Sequence, residues 1–220
     1  MAVRPVFVVA SDKRYCIRED TEFTFYSGFS IKQKQRCIQS LHKAFALKHA
    51  DKKVLEISSK SEIALGVKLS AFYLSVEAEN GKTYSVESLF QAGKVFEKGG
   101  PYLDLLEVSS REAKRDERLK NSGKVTAFCI YQQTFPTEPK TFFYNWLYIN
   151  VLQMHPDLTE QISAYDAFTD IEFNPQKSIN CQAEAAALYV SLKRQSLLKE
   201  ALKSKEDFLN IVYKNPQNAI

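Results

Sequence analysis

The stretch TFFYNWLYINVLQM, residues 141–154, constrains the fold more than any other part of the chain. Its side chains are apolar nearly all round a helix, and such a helix is stable only when other elements enclose it on every side. It is expected to be a central buried helix with Trp146 in the core. His155 and Pro156 should stop it, because the residue before a proline is pushed out of the α region. A chain of 220 residues, 45% of them hydrophobic, has the material to surround such a helix. No apolar run reaches the roughly 18 residues of a membrane span, and MAVRPVFVVASDKR lacks the apolar core and cleavage site of a signal peptide. The cytoplasm is the expected location, and no membrane is expected as a partner.

A second segment, YSVESLFQAGKVF from Tyr84 to Phe96, also reads as a mostly buried helix. At about 100° per residue, Val86, Leu89, Phe90, Gly93 and Phe96 share a broad face that Ala92 and Val95 widen. The polar residues are Glu87, Gln91 and Lys94, spaced i, i+4 and i+7 and so confined to about 60° of arc. Glu87 and Lys94 are then about 10.5 Å apart along the axis, too far for a close pair. The stripe is either a solvated edge with an ordinary ion pair or a set of side chains aimed at a ligand.

The remaining elements follow from shorter signals. PVFVV and EFTFY read as strands, and Ser30 with Gln33 forms a capping-box pattern that opens a helix on which Ile38, Leu41 and Phe45 recur. On its opposite face Lys32, Arg36 and Lys43 line up, as a solvated face or as a stripe that follows phosphates. KVLEI and VKLSAFYLSVEA read as strands, with a turn at Asn80 and Gly81 closing the second. YLDLLEV is expected to be a short helix, Ser109 and Glu112 a capping box that opens the solvated helix REAKRDERLK, and KVTAFCIY a strand. Asp157 and Glu160 open a helix to about Ala167. FTDIEFNPQKSIN, 168–180, has no periodicity and leads as a polar loop into the long helix CQAEAAALYVSLKRQSLLKEAL. Unpaired N–H groups at that helix start suit an anion, with Lys177, Ser178 and Asn180 as added donors; alternatively Asn180 is the N-cap of a plain surface connection. The expected class is α+β, predominantly helical with a few short strands.

Charge is uneven along the chain. Residues 1–60 carry 12 Lys and Arg against 6 acids, a balance of +6, so the whole-chain value of +4 leaves −2 for the remainder. That asymmetry suits a polyanionic partner at the N-terminal part and is equally compatible with solubility. The 4 cysteines and 3 histidines have no metal-ligand or disulfide spacing, so free thiols, no metal and no cofactor are expected.

The series LEISSKS, LGVKLSAF, an NG turn and YSVESLFQAGK resembles the NADAR family, whose pattern runs serine-lysine, LSNF, a Gly turn and a YPTVEHYFQAQK-type helix. This covers about residues 54–195. RPVFV, VFEKGGPYLDLLEVSSREAKRDERLKNSGK, FYNWLYIN and AFTDIEFNPQKSINCQAEAAALYVSL extend the likeness to nearly the whole chain. They are similar to the NADAR antitoxins that accompany DarT-type DNA ADP-ribosyltransferase toxins. The resemblance implies a NADAR-like catalytic domain over 53–220, with 1–52 as an N-terminal extension of short strands and a basic helix packed on it. It implies an N-glycosidase that removes ADP-ribose from guanine in DNA, with ADP-ribosylated single-stranded DNA as substrate and a DarT-type toxin as possible partner.

By position, Glu87 matches the glutamate of the family's VEH motif, Lys94 the lysine that ends it, and Asp170 the aspartate near a WGDG-like segment; these are the candidate catalytic residues. Lys60, Ser70, Phe72, Gln91, Lys177, Ser178 and Asn180 are the candidate substrate-binding residues, Asn180 matching the asparagine of NRLG. The chain departs from the family at LSNF, where Ala71 replaces the asparagine and Tyr73 follows the Phe. Two chemistries fit: Glu87 and Asp170 as a carboxylate pair, or Lys94 attacking the anomeric carbon to give an imine while Glu87 moves protons. The lysine route is favoured, because nucleophile and proton carrier share one stripe. Rival expectations are an N-glycosidase acting on small phosphoribosyl intermediates of riboflavin synthesis, and a non-catalytic ADP-ribose-binding antitoxin.

Overall fold

The computed structural model describes residues 1–79 and 81–214; Asn80 of the expected NG turn lies outside them. In chain order the elements are β1 (Ala2–Val9), β2 (Cys16–Phe23), α1 (Ile31–Ala46), β3 (Val54–Glu56), α2 (Ala64–Lys68), β4 (Ser75–Glu77), β5 (Thr83–Ser85) and α3 (Val86–Ala92). Then follow β6 (Lys94–Phe96), a 3-10 turn (Leu103–Glu107), α4 (Ser110–Arg115), α5 (Arg118–Asn121), β7 (Val125–Ile130), β8 (Gln133–Phe135) and α6 (Phe142–Gln153). The chain ends in α7 (Pro156–Ile162), β9 (Ala167–Thr169), α8 (Gln182–Arg194), α9 (Leu198–Ala201) and α10 (Lys205–Val212). The class is α+β, with strands more numerous than the sequence suggests. Among the described residues no helix is long and apolar enough to cross a membrane.

The chain divides into two compact units, Met1–Ser70 with His155–Ile220, and Ala71–Met154. In the first, a four-stranded sheet runs in the order β2-β1-β9-β3. β1 and β2 form an antiparallel hairpin in register from Ala2↔Phe23 to Val9↔Cys16, whereas β9 pairs antiparallel with β1 and parallel with β3. Val6, Val8 and Phe23 of the sheet pack with Cys37, Ile38, Leu41 and Phe45 of α1, which is the apolar face the sequence marks. The hydroxyl of Ser30 accepts a bond from Gln33 N and caps α1. α8 carries four alanines and is buried almost all round, so its backbone approaches the sheet closely; Ser191 Oγ donates to Ala10 O at 2.6 Å.

In the second unit α6 is buried as expected, with Phe142, Phe143, Tyr144, Leu147, Tyr148 and Ile149 all inaccessible. Its aromatic side chains organise the core. Phe143 stacks on Phe128 at 4.7 Å and on Phe90 at 6.0 Å, and Trp146 lies 4.8 Å from Phe135. β6-β7-β8 form a three-stranded sheet and β4-β5 a hairpin. The capping box at Ser109 and Glu112 is present, but the helix it opens ends at Arg115, and α5 is separate.

Several expected elements differ. The strand expected over 67–78 is α2 followed by a turn and a three-residue strand. The helix expected over 84–96 is β5, α3 and β6. The long helix expected over 181–202 is two pieces, α8 and α9, and the polar loop expected over 168–180 begins with a buried strand.

Candidate active site

The second unit holds four of the residues the sequence singles out. Ser85 caps α3 by accepting a bond from Ser88 N at 3.0 Å, and Glu87 N donates to Ala71 O at 2.8 Å, so the first turn is fixed at both ends. Glu87 sits in that turn, where the helix dipole favours a carboxylate. Yet it is only 5% exposed, as is Gln91. Gly93 ends the helix by close approach, not by unusual torsion. A Cβ there would lie 3.1 Å from Leu89 O and 3.2 Å from Cys129 O, and Gly93 O accepts from Cys129 N at 2.7 Å. The chain therefore turns into β6 against β7, with Lys94 opposite Phe128.

This corrects the single helical stripe. Lys94 is a strand residue, and the axial separation from Glu87 worked out for a continuous helix does not apply. The three polar side chains meet nevertheless. Lys94 Nζ donates to Gln91 Oε1 at 2.7 Å, and Gln91 Nε2 donates to Glu87 Oε1 at 2.8 Å. The amide has one orientation that serves both, since a carboxylate accepts and an ammonium donates. Lys94 Nζ also lies 4.7 Å from the centre of the Phe90 ring. Burial pushes the Lys94 amine down to about 8; the charge of Glu87 raises it and that of Lys114 lowers it further.

Lys114 is a residue that sequence reasoning left on a solvated helix. It approaches Glu87 Oε1 at 3.3 Å and lies 5.0 Å from the Phe72 ring centre, placing Phe72 beside the cluster. The capping box at Ser109 fixed the phase of α4, but only tertiary packing shows what α4 faces. Ala71 and Tyr73, which stand in the altered LSNF element, are buried and exposed respectively.

The first unit contains the other candidates. Asp170 follows β9 and is half-buried; its Oδ1 accepts from Glu172 N at 3.0 Å and Phe173 N at 3.2 Å, and its Oδ2 from Gln182 Nε2 at 2.9 Å. Glu56 at the end of β3, absent from the sequence candidates, accepts from Ile171 N at 2.9 Å and Thr169 Oγ1 at 2.6 Å. Burial raises both carboxyls, and the charge of Glu56 raises Asp170 further. A glutamate in the apolar run KVLEI is the signal that could have found it. His42 Nε2 meets Thr169 Oγ1 at 2.8 Å, and burial lowers its imidazole to about 4.

Lys60 Nζ donates to Ser59 Oγ at 2.8 Å, and Ser59 in turn to Glu172 at 3.1 Å. The buried Ser70 Oγ and Asn180 Oδ1 have no hydrogen-bond partner among the described residues. Each such orphan costs about 1–3 kcal/mol, which a ligand contact would relieve. Asn180 does not cap α8; Cys181 is the N-cap and its side chain makes no capping bond. Lys177 and Ser178 are exposed, the serine donating to Asn180 O at 3.4 Å. Among the described residues no group of three or more His, Cys, Asp or Glu is placed to hold a metal.

The model of one family, described as DarT1-associated NADAR antitoxin, matches residues 2–219. No protein of curated function matches the chain.

Proposed function

The chain belongs to the DarT1-associated NADAR antitoxin family, and from that premise we propose that it is an N-glycosidase that frees guanine in DNA from ADP-ribose, undoing a DarT1-type toxin's modification. The observation that carries the reading is the half-buried amine of Lys94, joined to Glu87 through Gln91. At pH 7 a lysine with a pKa of about 8 is neutral in roughly a tenth of molecules, about 300-fold more than at its ordinary value. A neutral amine is a nucleophile, and an ammonium is not.

The chemistry follows in balanced steps. The ribose ring opens as the anomeric carbon releases its ring oxygen, which takes a proton, and the base nitrogen becomes an imine. The Lys94 lone pair adds to that carbon; the proton it sheds passes to the base nitrogen, and the carbon–base bond breaks with its electron pair leaving on nitrogen. Water then adds to the lysine imine and expels the amine, giving ADP-ribose and unmodified guanine. Glu87 is the proton carrier, and Gln91 the positioning residue that holds the amine. Removing a general acid–base group costs typically 10²–10⁴-fold.

Lys60, Ser70, Phe72, Lys177, Ser178 and Asn180 are proposed as substrate contacts, supported at Ser70 and Asn180 by their unpaired buried oxygens. Asp170 is kept as the candidate acid of a lysine-independent route, because burial keeps its carboxyl protonated near neutrality.

The test is incubation with guanine-ADP-ribosylated single-stranded DNA, reading free ADP-ribose and restored DNA, with borohydride added in a parallel reaction. Release together with a trapped protein adduct is expected. No release overturns the reading. Absence of an adduct with the wild type, alongside turnover by Lys94→Met, removes the imine. Preference for a free phosphoribosylamine would favour the metabolite enzyme, and protection of cells by Glu87→Gln the non-catalytic binder.

A further inference from the structure

The segment before α1 exposes aromatic side chains to an unusual degree. Phe29 is 100% exposed, and Phe25 and Ile31 are 43% and 57% exposed. Single exposed apolar residues are ordinary, but these stand within seven positions of one another on a loop that is held in place. Tyr26 N donates to Cys37 Sγ at 3.2 Å, Ser30 caps the helix, and Gly28 turns the chain at φ +126°, a conformation that residues with a Cβ rarely adopt. The loop presents Phe29 outward and keeps it there.

Beside it the charge is of one sign. From Phe23 to Ala50 the sequence has no Asp or Glu, while Lys32, Lys34, Arg36, Lys43 and Lys48 are all basic. The first turn of α1 contains no acid, so its lysines sit at the positive end of the helix dipole, where they stabilise nothing in the fold. Lys48 lies 3.9 Å from Glu19 and Gln39 holds Glu62, but Lys32, Arg36 and Lys43 make no salt bridge among the described residues. These three share about 40° of arc and span about 16 Å along the helix. Arg36 is braced over the Tyr26 ring at 4.0 Å, which keeps its guanidinium next to the aromatic loop.

We propose that the Phe25–Ile31 loop and the Lys32–Arg36–Lys43 face of α1 form a binding surface for a single-stranded polynucleotide, with a base stacked on Phe29 and phosphates on the three cations. An unpaired strand offers both a π-face and a nearby phosphate, whereas a duplex hides its bases from a stacking side chain. That the strand is the one carrying the modified guanine rests on the proposed function; the surface itself does not.

The test is fluorescence anisotropy with a labelled, unmodified oligothymidine of about 12 nucleotides between 50 and 200 mM salt. Three phosphate contacts at about 0.7 each give a slope of log K against log salt near −2. Phe29→Ala should weaken binding about 5- to 100-fold with the slope unchanged. The double variant Lys32→Ser/Arg36→Ser should reduce the slope to about −0.7. Lys94→Met should bind as the wild type does, and equal urea midpoints check that the surface variants are folded.

Affinity indifferent to both surface variants overturns the inference, as does equal binding of a duplex, or binding of anionic phospholipid vesicles through these residues in place of the oligonucleotide. Strand binding as expected without release of ADP-ribose would sink the proposed function and leave the surface standing. Release of ADP-ribose with a KM untouched by Phe29→Ala would leave the proposed function standing and overturn the claim that the strand on this surface is the one carrying the modified guanine.

Discussion

Replacing Lys94 by methionine should make the protein more stable at neutral pH and less stable in alkali. The amine falls from 10.5 in the unfolded chain to about 8 in the folded one, a difference worth about 3 kcal/mol. Below pH 8 both states are protonated, and the native state bears the whole cost of holding the charge away from water. Between pH 8 and 10.5 the native state loses its proton while the unfolded chain keeps it, so wild-type stability rises through that window. Methionine fills similar volume without a charge, but it forfeits the bond to Gln91 and the contact with Phe90, together about 1–2 kcal/mol. The net expectation is a gain of about 1–2 kcal/mol at pH 7 and a loss of similar size above pH 10.5, the two curves crossing between. Urea unfolding of both proteins at pH 7, 9 and 10.5 measures it, and other titrating groups cancel in the difference. A constant difference across that range would refute the claim that Lys94 is held by its surroundings in a costly charged state.

Glu87→Gln and Lys114→Met should move the pH dependence of borohydride trapping in opposite directions. Loss of Glu87 removes a charge that raises Lys94 and shifts the profile to lower pH; loss of Lys114 shifts it upward, by less because Lys114 is half exposed. A common direction would show that their charges do not act on the amine. Asp170 rises from 3.8 unfolded to about 8 folded, so stability should fall as pH climbs through that interval; Asp170→Asn should flatten the decline in urea midpoint between pH 5 and 8. Gly93→Ala, whose methyl would crowd Leu89 O and Cys129 O, should cost about 1–3 kcal/mol in urea unfolding and lower kcat by disturbing the turn into β6.

What the sequence made legible was local. The helix start at Ser30, the capping box at Ser109 and the all-round apolarity of α6 each depend on residues within a turn or two, and each is found in the structure. The end of α3 was hidden because Gly93 has ordinary helical torsions there; what stops the helix is β7, more than thirty residues away in sequence. β9 is three residues long and buried on both faces, so neither alternation nor a helical period could mark it. VKLSAFYL alternates convincingly as a strand, yet its first two residues close α2 and most of the rest is turn. The same limit governs the site. Glu87 and Gln91 were readable as a stripe, while Lys114 acquires meaning only from a neighbour distant in the chain.

The placing of β9 between β1 and β3 bears on synthesis as well as on architecture. A ribosome releases the hairpin and the β3 segment early, but the strand that joins them arrives only with Thr169, more than a hundred residues after Glu56. Until then two sheet edges wait unpaired, and a product cut short by nicked message or premature stop would be sticky debris for proteases instead of a partial remedy.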